Sequence, residues 1–195
     1  MRHHPAERCH LAAWLVLALM LAFSPVAMAD TEGRDQRWAQ PVQLSNTKNL
    51  HQVTPGLYRS AQPTAQNFQQ LEKMGIKTVI NLRETNSDQK LINGTSLKLI
   101  LVPIQTSAIG DEDVIAVLRH IKNEPGPVLV HCRHGADRTG TVIAMYRIIF
   151  EGWRPQEALD ELRNGGYNYH SMFRNIPRYI LNADIARIKA AVMAP

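Results

Sequence analysis

Apolar positions along this chain change their period several times, and each change marks an element. Leu50 to Val53 and Leu57 to Arg59 flank Thr54-Pro55-Gly56, a turn between two short apolar stretches, which predicts a β-hairpin. Phe68, Leu71 and Met74 fall at helical spacing within Thr64 to Met74, and Gly75 closes that helix. Lys77 to Leu82 and Leu97 to Ile104 read as buried strands, the second after a polar loop containing Asn93-Gly94. Asp111 to Lys122 places Val114, Ile115, Val117, Leu118 and Ile121 on one broad face, with acidic residues in the first turn, where the helix dipole favours them. After Pro125-Gly126-Pro127, the run Val128 to His131 predicts a central strand. Arg138 to Gly152 is apolar almost all round, so it is expected to run through the middle of the domain. Pro155 opens another helix to Arg163, Gly165-Gly166 ends it, and a last helix is predicted from about Asn175 to Val192.

Strands alternating with helices predict an α/β fold of three layers, a central and largely parallel sheet flanked by helices. Two segments fall outside that pattern. Arg2, Arg8 and three histidines precede a run of thirteen apolar residues, Leu11 to Phe23, followed by Ser24-Pro25 and Ala27-Met28-Ala29. This is the three-part plan of an export signal, with cleavage expected after Ala29. The run is shorter than the roughly 20 residues of a bilayer-spanning helix; the alternative is an uncleaved signal anchor. Residues 30–48 are polar and aperiodic and read as a linker, so folding is expected to start near Asn49 and continue to Pro195. The domain is therefore expected outside the cytoplasm, periplasmic or secreted, and held at the inner membrane only if the signal stays attached.

Composition narrows the function. A chain of 195 residues that is 45% hydrophobic and 20% charged excludes a disordered, collagen-like or disulfide-framework protein. The formal net charge of +5 favours an anionic substrate or partner and is far from that of a nucleic-acid coat, so no nucleic-acid partner is expected. Of the two cysteines, Cys9 lies in the signal, which leaves Cys132 as a lone thiol in a compartment where disulfides form. It is then either a buried small hydrophobe or a group kept for its reactivity.

Position favours reactivity. Between the strand ending at His131 and the helix starting near Arg138 lies Cys132-Arg133-His134-Gly135-Ala136-Asp137, continuing Arg138-Thr139-Gly140. In an α/β sheet, ligands gather at the carboxyl ends of the strands, where a helix N-terminus offers free N–H groups. The spacing from Cys132 to Arg138 suits one tight loop of inward amides around a tetrahedral oxyanion, with Gly135 permitting the curve. Arg138 would grip two phosphoryl oxygens, and Cys132, favoured as thiolate, would attack from beneath.

The run His131-Cys132-x-x-Gly135-x-x-Arg138-Thr139-Gly140 resembles the signature of the protein tyrosine phosphatase superfamily, in a short form like that of the dual-specificity phosphatases. Leu57 to Pro63 and Val79 to Arg83 are similar to the first hairpin and second strand of bacterial members, so the resemblance spans roughly residues 50–166. It implies a phosphate monoester hydrolase that forms a cysteinyl-phosphate intermediate and needs no metal or other cofactor, acting on phosphorylated proteins or small anionic phosphates. Cys132 would be the nucleophile, Arg138 the phosphate ligand and Thr139 the hydroxyl that eases departure of the sulfur. His131 would orient the loop, while Arg133, His134, Gly135 and Ala136 would bind substrate.

A leaving alkoxide or phenoxide also needs a proton. The family's aspartate lies on a loop some thirty residues before the cysteine, but residues 99–106 here contain no carboxylate. Asp137 is placed first, because its pairing with Arg138 is similar to that in myotubularin and Sac-type phosphoinositide phosphatases. Asp111, with Asp113 beside it, is the other candidate, although helix capping would also explain that pair. The Asp137-Arg138 pair suggests phosphoinositides or inositol phosphates as alternative substrates. A rhodanese-like sulfur carrier and an inactive phosphate-binding module are the rival readings; the Arg138-Thr139-Gly140 continuation speaks against both. The histidines at 51, 120, 131, 134 and 170 show no metal-ligand spacing.

Overall fold

The computed structural model describes Met1, residues 34–85 and residues 88–195. The expected export signal, residues 1–29, lies outside the described residues apart from Met1. Among the described residues no helix is long and apolar enough to cross a membrane.

Among the described residues, six strands form one sheet in the order β1-β2-β3-β6-β4-β5. β1 (Gln40–Pro41), β2 (His51–Thr54) and β3 (Leu57–Ser60) are antiparallel neighbours, and β2 and β3 form the predicted hairpin. β6 (Val128–His131) lies parallel between β3 and β4 (Thr78–Asn81), and β5 (Lys98–Leu101) extends the sheet in parallel beyond β4. Side chains alternate across these strands. Leu129 and Val79 join Phe68 and Leu71 of α1 (Ala65–Lys73) in one apolar cluster. Val128, Val130 and Ile80 join the opposite cluster, built with α3 (Asp111–Asn123), α4 (Asp137–Glu151), α5 (Pro155–Asn164), α6 (Asn175–Asn182) and α7 (Ile185–Met193). The expected three layers follow. α4 has buried positions on every side, from Thr139 to Ile149, because the sheet lies on one flank and α3, α5, α6 and α7 contact the others.

Three expectations change. The single C-terminal helix is two: Ala183 is extended and the Asp184 carboxylate accepts the Arg187 amide, starting a new helix whose Ile188 and Val192 are buried. The loop before Asn93 contains a short helix, α2 (Asp88–Leu91), whose first residue is completely buried. The linker is not one over its described part, since the chain is tied to the domain from Arg34 onward rather than from near Asn49. Ala39 is fully buried, and its amide donates to Glu161 Oε1 at 2.7 Å. Arg34 donates to the carbonyls of Ala39 and Gly165. Polar anchoring of this kind leaves no apolar period to read.

Candidate active site

β6 delivers the chain to the carboxyl edge of the sheet, and α4 carries it away. The turn between them, residues 132–136, is held from outside by three donors. Gln62 N–H donates to the Arg133 carbonyl at 3.2 Å, Asn49 Nδ2 to that of His134 at 3.0 Å, and Arg59 Nη2 to that of Gly135 at 2.6 Å. A planar trans peptide points its N–H away from its C=O, so the amides of His134, Gly135 and Ala136 face the other side. Ala136 caps α4 without a side-chain hydrogen bond, leaving the first-turn amides of that helix open as well. The result is an anion cradle.

Gly135 is required at its position. Its φ is +68°, and a Cβ there would stand 2.5 Å from the Ser60 carbonyl carbon and oxygen and 2.6 Å from Ala61 N, backbone atoms of the adjoining strand end. Arg59 is fully buried, with its guanidinium 3.6 Å from the Tyr167 ring centroid. Burial lowers its pKa, opposed by the negative charge that Tyr167, Glu161 and Cys132 can carry.

Cys132 lies at the base of this turn, 2% exposed. Arg138 reaches back over the sheet edge, where Nη1 donates to the carbonyls of Leu82 and Ile104, each at 3.3 Å, and lies 4.0 Å from the exposed Glu84 carboxylate. Thr139 is fully buried, and its hydroxyl has no hydrogen-bond partner among the described residues. Arg133, His134, Asp137 and Arg138 border a hollow of about 300 Å³ together with His170 and Phe173. Arg133, His134 and His170 also border a larger hollow of about 690 Å³, whose far wall includes Lys48 and His51.

His131 faces the α1 side, as Leu129 does, and its Nε2 meets Asp88 Oδ2 at 2.8 Å, both side chains being fully buried. Burial acts to raise the Asp88 pKa, but hydrogen bonding and charge from His131, with Gln62 and Arg83, hold it below the ordinary carboxylate value. Asp88, Gln62 and Arg83 thus form a support behind the turn, Arg83 donating to Gln62 and Gln62 to Asp88. Nothing in the sequence around Asp88 points to this, because the contact closes only when α2 folds onto the end of β6. Arg59 and Gln62 lie within the hairpin segment already singled out, but their role requires knowing that β3 neighbours β6.

The candidate acids fare differently. Asp111 is not brought to the hollow: its carboxylate pairs with Arg187 of α7, and Asp113 accepts the Gly110 amide as a cap. Asp137 is at the hollow, but both its oxygens are engaged by His170, Oδ1 by the backbone N–H at 3.0 Å and Oδ2 by Nδ1 at 2.8 Å. Ring nitrogens of His134 and His170 and a carboxylate oxygen of Asp137 lie within 4.8 Å of one another, a grouping that sequence spacing could not show because the histidines stand 36 positions apart.

His51, on the rim of the larger hollow, has its pKa lowered to about 4, chiefly by burial and further by the charges of Arg59 and Arg34. An unfolded chain protonates this ring below about pH 6.5 while the folded one waits until about 4, so stability falls as pH drops through that window. Asp88, with its lowered folded pKa, adds a further loss below the ordinary carboxylate range. Urea unfolding between pH 7 and pH 4 should show a decline to which His51, screened in part by solvent, contributes about 1–2 kcal/mol, and His51→Gln should flatten it. An unchanged slope in that variant would remove His51 as the cause.

Comparison with known proteins agrees with this geometry. Residues 47–180 match the family described as PTP-SAK, the Swiss Army Knife DSP-PTPase phosphatase domain. The dual specificity protein phosphatase TpbA of Pseudomonas aeruginosa is 34% identical over 195 residues, covering 98% of this chain and 88% of that protein. Its cysteine-to-serine variant in complex with phosphotyrosine superposes with a TM-score of 0.76 at 34% identity, covering 83% of this chain and 99% of that one. An inositol diphosphatase of Arabidopsis thaliana is 25% identical over 163 residues, 77% of either chain.

Proposed function

The chain belongs to the dual-specificity branch of the protein tyrosine phosphatase superfamily, and from that premise we propose that it is an exported enzyme that hydrolyses phosphotyrosine and other phosphomonoesters through Cys132. The observation that carries this reading is the turn 132–136, whose carbonyls are tied outward to Gln62, Asn49 and Arg59 so that its amides converge on the side opposite. Three phosphoryl oxygens entering that cradle meet N–H donors and the Arg138 fork, which stay in place as charge spreads over the transition state. The Cys132 thiolate attacks phosphorus in line, the ester oxygen leaves protonated, and water then releases phosphate from sulfur. Thr139, with its unpartnered buried hydroxyl, is available to hydrogen-bond the departing thiolate. His131, fixed by Asp88, holds the strand end below the sulfur. Arg133 and His134, at the mouth, contact the substrate.

A second reading, inositol phosphates, is favoured by one feature. The larger hollow is bordered by Lys48, His51, Arg133, His134 and His170, and such a ring suits a ligand with several phosphates. The test is a panel of phosphotyrosine, phosphoserine and phosphothreonine peptides, inositol polyphosphates and phosphoinositides, with acid quench to trap phosphate on Cys132. Hydrolysis of phosphotyrosine peptides with a trapped phosphocysteine is expected. Thiosulfate-to-cyanide sulfur transfer, or phosphate binding without turnover, would refute the assignment. Export predicts a mature protein beginning at Asp30; an intact mass retaining residues 1–29 would point to an anchored form.

A further inference from the structure

Both halves of the proposed reaction need a proton carrier, and the segment that reaches the hollow from the β5 side has none to offer. That segment passes Ile104, whose carbonyl receives Arg138, and presents Thr106, with Gln105 between them and no carboxylate. Asp111 and Asp113 are committed elsewhere, to Arg187 and to the Gly110 amide. Asp137 has both oxygens turned to His170. Glu84 meets only the outer edge of Arg138, at 4.0 Å, with 62% of its side chain exposed.

The geometry points to His170 as the catalytic proton donor and acceptor, held in place by Asp137 as a positioning residue. This rests on the phosphatase reading above. The two hydrogen bonds to Asp137 fix both the backbone and the ring of His170, and they assign Nδ1–H to the carboxylate. Nε2 is left as the nitrogen that gains or loses a proton, and it has no hydrogen-bond partner among the described residues. The ring borders the same hollow as Arg138 and Asp137, on the side where a phosphate ester held by Arg138 is open to solvent, so it is a titratable side chain in that space with a free nitrogen. A base oriented by a carboxylate through its second nitrogen is a recurrent solution to proton transfer. It also gives Asp137 a function different from that of a direct acid.

The steps balance. As the Cys132 sulfur forms its bond to phosphorus, the bond from phosphorus to the ester oxygen breaks, and that oxygen takes the proton from Nε2–H of the imidazolium. The neutral ring then removes a proton from water as the water oxygen bonds to phosphorus. The sulfur leaves as thiolate, inorganic phosphate departs, and the ring is again protonated. The charged or titratable groups around His170 are Asp137 in contact, His134 with its ring centroid 5.2 Å away, Arg133 and Arg138 along the small hollow, and Lys48 and His51 across the larger one.

Turnover is measured with EDTA present on aryl phosphates whose phenols range from strongly to weakly acidic, for wild type, His170→Asn, Asp137→Asn, Glu84→Gln and Cys132→Ser. His170→Asn should leave kcat/KM, which ends at phosphocysteine formation, within about threefold on 2,4-dinitrophenyl phosphate and lower it about 100-fold on phenyl phosphate, while kcat on the dinitrophenyl ester, set by attack of water on the phosphocysteine, falls as well. Asp137→Asn should show the same selectivity in weaker form. In the wild type, independent of any variant, kcat/KM on phenyl phosphate should fall on an alkaline limb that is absent with the dinitrophenyl ester. A loss of kcat/KM in His170→Asn that is uniform across leaving groups, no loss at all, or a selective loss in Glu84→Gln instead overturns the assignment. Cys132→Ser separates the two levels: if it matches wild type, or wild type is inactive on every ester, the phosphatase reading itself has failed.

Discussion

Cys132→Ser should lose turnover by at least about four orders of magnitude while still binding tungstate, and Arg138→Lys should lose both. The two side chains occupy opposite ends of one cradle. Serine keeps the amides of residues 134–136 and the Arg138 fork, so the oxyanion site survives, but an alkoxide is far harder to generate than a thiolate at neutral pH. Lysine keeps the charge of Arg138 but cannot donate to the carbonyls of Leu82 and Ile104 while presenting a planar pair of N–H groups to phosphate. Losing donors that act on the transition state should lower turnover about 100- to 1000-fold. Titration calorimetry with tungstate, beside initial rates on an aryl phosphate, separates the cases. Serine that still turns over, or lysine that binds and turns over normally, would mean that the cradle is not where phosphate reacts.

What could be read in advance depended on how local each feature is. The core strands and helices were legible because burial imposes a period: Val128, Leu129 and Val130 alternate between two clusters, and α4 is apolar all round because other elements lie on all its sides. The anion turn was legible because its parts, Cys132 through Thr139, are contiguous and each residue type answers one geometric demand, Gly135 most plainly. The support was not. Asp88, Asn49 and His170 lie 44, 83 and 38 residues from Cys132 and reach the turn only through tertiary folding. The same reason keeps Asp111 open in the sequence between chemistry and a helix-start role; in the fold it pairs with Arg187, and Asp113 takes the cap. It also explains the first strand, β1, which pairs to β2 over only two residues and carries no apolar signal of its own.

Glu161→Ala should destabilise the domain by about 3–5 kcal/mol. Glu161 is 2% exposed and accepts four hydrogen bonds: from Arg147 Nε at 2.9 Å and Nη2 at 3.2 Å, from the Ala39 amide at 2.7 Å and from the Tyr167 hydroxyl at 3.0 Å. Burial works against the charge on Arg147, but the carboxylates of Glu161 and Glu151 raise its pKa, so the guanidinium stays charged in the folded protein. Removing Glu161 leaves that charge facing a cavity, with the buried Ala39 N–H unsatisfied beside it. Desolvation that the pair had offset is then unopposed. The segment 34–41 should loosen, since Ala39 and the Arg37 carbonyl both attach through this network. Limited proteolysis should therefore cut there first. Glu161→Gln, which keeps the shape and an acceptor, should cost less than half as much. Replacing both partners, Arg147→Met with Glu161→Leu, should recover most of the loss, because no charge is then stranded. At about 2–4 °C per kcal/mol for a domain of this size, the alanine variant should melt roughly 10 °C below wild type. A drop of only one or two degrees would show that water enters freely and that the pair anchors nothing. Tyr167 links this network to the catalytic turn, donating to Glu161 while its ring stacks on Arg59, which in turn holds the Gly135 carbonyl. Activity of the alanine variant should accordingly fall several-fold well below its melting temperature, before any global unfolding.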